Sequence, residues 1–123
     1  MNQIKYHVID LILGKDAGYT VEEKSSTIPD GIITHFALVQ SGNTDNEIID
    51  LSILESNSEV LRGGDIRFSE KTANGNFLES LRPVTGLKGG GSLQFRLTGR
   101  TDERTNDVSV QILLVIQTNP FNL

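Results

Sequence analysis

Ser92-Leu93-Gln94-Phe95-Arg96-Leu97-Thr98 and, after a polar interval, Asp107-Val108-Ser109-Val110-Gln111-Ile112-Leu113-Leu114-Val115-Ile116-Gln117 decide the fold. Side chains of a strand alternate between its two faces, so apolar residues at every second position mark a strand buried on one side. Leu93, Phe95 and Leu97 do this in the first run, and Val108, Val110, Ile112, Leu114 and Ile116 in the second. Leu113 and Val115 make the opposite face of the second run apolar as well, which predicts a central or doubly covered strand.

The same grammar extends toward the N-terminus. Ile32–Gln40 is apolar on both faces, with Phe36 and Leu38 on one and Ala37 and Val39 on the other. Glu47–Leu54 turns Ile49, Leu51 and Ile53 to one side. Ile4–Leu13 changes phase: Ile4, Tyr6 and Val8 share one parity, Ile9, Leu11 and Leu13 the other, which predicts a bulge near Val8–Ile9 or a strand that leaves one sheet for another. Tyr19–Glu23 reads as a short edge strand, followed by a polar loop over Lys24–Thr27. Ile28-Pro29-Asp30-Gly31 is a turn, with proline presetting φ and glycine free to take positive φ. Gly63-Gly64 suits a tight turn between Val60–Leu61 and Ile66–Phe68, Asn74-Gly75-Asn76 suits another, and Gly86–Gly91 reads as the most flexible stretch.

Some eight short strands with no sustained helical period predict an all-β chain, a two-sheet antiparallel β-sandwich, with a jelly roll favoured over an immunoglobulin-like arrangement. The connection Gly99–Asp107 carries that preference, being long for a hairpin and comfortable as a crossing between sheets. The expected core comprises Phe36, Leu51, Phe95, Leu97, Val110, Ile112 and Leu114. A single domain spans 1–123, with 118–123 as a C-terminal tail.

Composition narrows function. The 123 residues contain no cysteine, which excludes disulfides, thiolate metal sites and thiol catalysis. No apolar run approaches a membrane span, and the N-terminal residues lack a secretory h-region. The net charge of −5 without a basic run disfavours nucleic acid as a partner. That charge is unevenly spread: residues 1–60 hold ten acids against three bases, residues 61–123 eight bases against six acids. Solvated strand faces account for such a split, and head-to-tail attraction between copies is its sharper reading.

Candidate chemistry is sparse. Gly89-Gly90-Gly91 lacks the Lys-Ser/Thr pair and following helix of a phosphate loop. Asn43, Asp45 and Glu47 alternate, but the calcium-loop pattern is missing. His7 and His35 have no carboxylate at ligand spacing, and no serine sits in a nucleophile elbow. No catalytic residue, metal or cofactor is expected. Tyr19, Pro120, Phe121 and Leu123 stand out as apolar groups outside the predicted core, and are the candidate oligomer or partner contacts. Pro120 cannot donate to a ladder, so pairing should end by Asn119.

In length and strand rhythm the whole chain resembles the small single-jelly-roll structural proteins of virions, such as vertex or accessory capsid proteins of bacterial viruses. The resemblance implies a non-enzymatic bacteriophage protein, made in the host cytoplasm and located in the virion, acting as a homo-oligomer within a larger protein assembly. A β-sandwich module that binds a glycan or peptide is the alternative.

Overall fold

A computed structural model describes residues 3–15, 21–45, 47–66, 82–100 and 104–118. Eight strands form among them: β1 (Gln3–Leu13), β2 (Val21–Thr27), β3 (Ile32–Ser41), β4 (Asp50–Glu55), β5 (Ser58–Asp65), β6 (Arg82–Lys88), β7 (Ser92–Thr98) and β8 (Val108–Thr118). They make two four-stranded antiparallel sheets, β1-β8-β3-β6 and β2-β7-β4-β5, packed into a sandwich. The chain is all-β, as its alternation predicts.

The pairs β1·β8, β2·β7, β3·β6 and β4·β5 are nested, so the first half of the chain pairs with the second half in reverse order. The β8·β3 and β7·β4 pairs then join these rungs into sheets. Among the described strands only β4 and β5 are consecutive within one sheet. The Gly99–Asp107 connection crosses from one sheet to the other.

The inward faces meet as one core. Phe36, Leu51, Phe95, Leu97, Val110, Ile112 and Leu114 are all buried in it, together with Ile9, Leu11, Leu13, Ile33, Ile53 and Leu93. β7 and the first seven residues of β8 show the burial alternation that their sequence dictates.

Several expected boundaries move, each for a physical reason. β1 has no bulge: its register with β8 is unbroken from Gln3↔Thr118 to Leu13↔Val108. Its two apolar parities face opposite sides, so Ile9, Leu11 and Leu13 enter the core while Ile4, Tyr6 and Val8 are exposed. The irregularity lies in β3 instead, between Ile33 and His35, and turns both Ile33 and Phe36 inward. Lys24–Thr27 is strand, paired with Ser92–Phe95. It is a polar edge strand, so no apolar period betrays it.

Gly63-Gly64 is not a turn. β5 runs through it, and register shifts opposite Leu51/Ser52 and Ile53/Leu54 mark bulges, with Gly64 at φ +71°. The reversal comes earlier, at Ser56 and Asn57, whose φ values of +51° and +66° make a two-residue hairpin turn. Gly86–Lys88 belongs to β6, and Gly89–Gly91 is pinned rather than loose. Gly89 N donates to Gly31 O (2.8 Å), Gly90 N to Ile28 O (2.9 Å), and Ile28 N to Gly91 O (2.9 Å). A Cβ on Gly89 would collide with the Pro29 carbonyl, so glycine is required for this close approach.

Thr118 is the last residue of β8, paired with Gln3, and so belongs to the sandwich rather than the expected tail. Residues 119–123 and the expected turn at 74–76 lie outside the described residues.

Candidate functional site

The two outward faces of the sandwich are chemically unlike. Cross-strand rows on the outside of β2-β7-β4-β5 are mostly polar, with half-exposed Val21 the apolar exception in the Val21–Thr98–Asp50 row. One row runs Glu23–Arg96–Ser52–Arg62 and the next includes Thr98 and Asp50. Arg96 Nη2 lies 2.7 Å from a Glu23 carboxylate oxygen, Arg100 Nη2 2.8 Å from Asp50, and Arg62 Nε 3.0 Å from Glu59. Gln94 Nε2 donates to both Glu23 (2.9 Å) and Asn57 (3.0 Å).

The outside of β1-β8-β3 is largely apolar. Successive rows are Ile4–Gln117–Ile32, Tyr6–Val115–His35, Val8–Leu113–Ala37, Asp10–Gln111–Val39 and Ile12–Ser109–Ser41. Tyr6, Val8, Ile12, Ile32 and Val39 are each about half exposed, between 47% and 56%. Ala37 and Val115 form a small buried cluster separate from the main core. Asp10 is the one acid in these rows, and Gln111 Nε2 donates to its carboxylate (3.0 Å). A depression of about 400 Å³ lies over Asp10, Ile12, Val39 and Gln111.

The free edges are blunted. Lys24 Nζ donates to the Asp10 carbonyl on β1 (3.2 Å), β6 carries Pro83 and faces an irregular register, and β5 is bulged.

One end of the sandwich is tied by polar side chains. Glu47, before β4, is buried with Arg104, before β8. Arg104 Nε donates to Glu47 Oε1 (2.8 Å), Nη2 to Oε2 (3.1 Å), and Nη1 to the Gly14 carbonyl (2.9 Å). The Arg100 amide donates to Glu47 Oε2 (2.7 Å), and Asn43 brackets the Glu47 backbone with two hydrogen bonds. Asp45 accepts from the Thr105 amide (2.8 Å) and hydroxyl (2.6 Å), which hold its carboxyl below the usual carboxylate range, hydroxyl first. Asn43, Asp45 and Glu47 thus serve as loop ties. Their oxygens are committed to protein donors.

Each histidine meets a hydroxyl: His7 Nε2 lies 2.8 Å from Ser26 Oγ, and His35 Nδ1 3.0 Å from Thr34 Oγ1. Among the described residues no three His, Asp or Glu side chains gather as a metal site, and no helix is long and apolar enough to cross a membrane. Tyr19, Pro120, Phe121 and Leu123, the contacts expected from sequence, lie outside the described residues. The outward set Tyr6, Val8, Ile12 and Val39 was hidden in the sequence because parity alone does not say which face meets the core.

The chain matches no protein-family model and no curated protein sequence.

Proposed function

We propose that the chain is a non-enzymatic assembly protein, a capsid or other virion component of a bacteriophage, built on a jelly roll and acting by self-association. Its nested pairs β1·β8, β2·β7, β3·β6 and β4·β5 support the jelly roll, since they are the rungs of one long hairpin rolled up. An immunoglobulin-like sandwich keeps its first two strands side by side in one sheet, whereas here β1 and β2 lie in opposite sheets.

The single observation that carries self-association is the apolar outside of β1-β8-β3. The three strands β1, β8 and β3, at about ten residues each, present about 490 Å² of projected face, part of it already covered at Ala37 and Val115. That places the contact among the smaller interfaces rather than at the roughly 800 Å² per partner of standard ones. The occupant is a second copy of this chain. A chain of net charge −5 repels itself over most of its surface, and this face confines its acid to Asp10, already bonded to Gln111. With the edges blunted, the face rather than strand addition is the route to contact.

Charge attraction between copies is not needed. Glu23–Arg96, Asp50–Arg100, Glu47–Arg104 and Glu59–Arg62 each join an acid of the first half to a base of the second within one molecule. Nested pairing brings the halves together, so acids of the first half meet bases of the second within one molecule, while Glu59–Arg62 is a local pair on β5.

Native mass spectrometry over a concentration series tests the reading. Discrete oligomers that persist at high salt are expected, because apolar burial is not screened. A monomer at every concentration overturns self-association, and oligomers that dissolve as salt shortens the Debye length to about 3 Å at 1 M overturn the apolar route.

A further inference from the structure

We infer that His35 makes association through the outside of β1-β8-β3 sensitive to pH: the neutral ring packs between copies, and the protonated ring drives them apart. The inference rests on the self-association proposed above. His35 stands in the Tyr6–Val115–His35 row of that face and is partly buried. Across the five rows of β1, β8 and β3 the titratable side chains are Tyr6, Asp10 and His35. Histidine is the side chain whose charge ordinarily changes between about pH 5 and 8.

Local bonds set where the proton arrives. The Thr34 hydroxyl donates to the Val115 carbonyl (3.4 Å), so its oxygen is left to accept from His35 Nδ1–H (3.0 Å). A neutral imidazole has one N–H and one lone pair; with Nδ1 donating, the lone pair and the incoming proton fall on Nε2. Among the described residues no carboxylate faces the ring to compensate that charge. β8 sets Val115 beside it and β1 the Tyr6 phenol beyond. β6 places Pro83 opposite His35, and the cationic residues Arg82 and Lys88 opposite Phe36 and Ile32. Asp10 lies two rows along and two strands across, roughly 17 Å away by strand spacing, beyond the Debye length of about 8 Å at physiological salt. A second copy does not supply the acid either. With the sheets aligned about a two-fold axis through Leu113, an axis along the strands sets Tyr6 over His35, and an axis along the rows sets Val39 over it.

Moving an unpaired cation from water onto an apolar face costs far more than moving the neutral ring. The associated state therefore holds fewer protons than separated copies, so association is full above the ordinary histidine range and weakens as pH falls through it. A two-fold dimer covers two such rings, which allows up to about 100-fold weakening one pH unit below the usual imidazole value. Net charge acts the other way. The charge of −5 at pH 7 shrinks as pH approaches the isoelectric point near 4.9, which lessens repulsion between copies. Neutralising Asp10 would act in the same direction. Weakening on acidification is thus a signature of the ring.

Sedimentation equilibrium on the full chain at about pH 7.5 and 5.5, either side of the histidine midpoint, tests this at constant ionic strength, with circular dichroism confirming the fold at both. His35→Asn keeps an amide nitrogen to donate to Thr34 and cannot be protonated. His7→Gln is the control, because His7 lies at the seam between the sheets, its Nε2 2.8 Å from Ser26 Oγ. The parent and His7→Gln should associate about tenfold more weakly, or weaker still, at the lower pH, and His35→Asn equally at both. A parent that associates as strongly or more strongly at pH 5.5 overturns the switch and leaves self-association standing. Weakening that persists in His35→Asn, or disappears in His7→Gln, overturns the switch in the same way. A parent that is monomeric at both pH values overturns self-association itself, and the switch with it.

Discussion

Arg104 grips Glu47 with two hydrogen bonds of 2.8 and 3.1 Å, where the two side chains are only 1% and 5% exposed. The pair joins the β7–β8 connection to the β3–β4 connection, and the Arg104 bond to Gly14 adds the end of β1. Three crossings between sheets are thereby fixed at one end of the sandwich.

Removing one member leaves a buried charge without its partner. Arg104→Met is expected to lower unfolding stability by about 3–5 kcal/mol, read from urea denaturation. The double variant Glu47→Leu/Arg104→Met should recover part of that loss. A single substitution that costs under about 0.5 kcal/mol, the scale of ordinary surface changes, would show that the pair does not hold this end.

Gly99 lies against the same pair. A Cβ there would collide with Arg104 Nη2 and Glu47 Oε2, with Leu13 also close. Gly99→Ala should therefore destabilise the chain by a mechanism shared with Arg104→Met, and the two effects should be less than additive in a double-mutant cycle. Full additivity would separate Gly99 from the pair.

Phe95 and Ile112 are fully buried, on the facing inner surfaces of the two sheets. Truncating either to alanine removes transfer energy and leaves a cavity, a loss of about 2–5 kcal/mol. Thermal or urea unfolding measures it. A near-zero effect at either position would mean that its strand presents the other face to the core.

Asp45 gives a pH signature. Its carboxyl is held below its ordinary value, first by the Thr105 hydroxyl and then by the Thr105 amide. A depressed folded pKa contributes stability above the unfolded value and loses it as pH falls through the folded one. Asp45→Asn should therefore lower stability at neutral pH and reduce the fall in stability on the acid limb. A variant whose acid limb parallels that of the parent would remove Asp45 from the account.

Much of the sandwich is legible because β7 and β8 each bury one clean parity. β2 is legible only at its start, where Val21–Glu23 falls in the expected edge strand; Lys24, Ser25 and Thr27 are exposed and leave no period to read. β5 is obscured by Gly63-Gly64, which mark a bulge but look like a turn. The phase change at Val8–Ile9 is real, yet it records two apolar faces on one regular strand rather than a distortion. Glu47 and Arg104 lie 57 residues apart, so no local spacing announces them. The charge split was visible as numbers, but that Glu23, Asp50 and Glu47 meet bases of the second half within one molecule required the strand order.

The outside of β1-β8-β3 is the central claim. Sedimentation velocity comparing the parent chain with Val8→Glu/Val39→Glu tests it most directly. Both side chains are about half exposed on that face, so the substitutions spare the core, and a circular-dichroism melt confirms that the fold is kept. The account predicts an associating parent and a monomeric, equally stable variant. A folded variant that associates like the parent would contradict it.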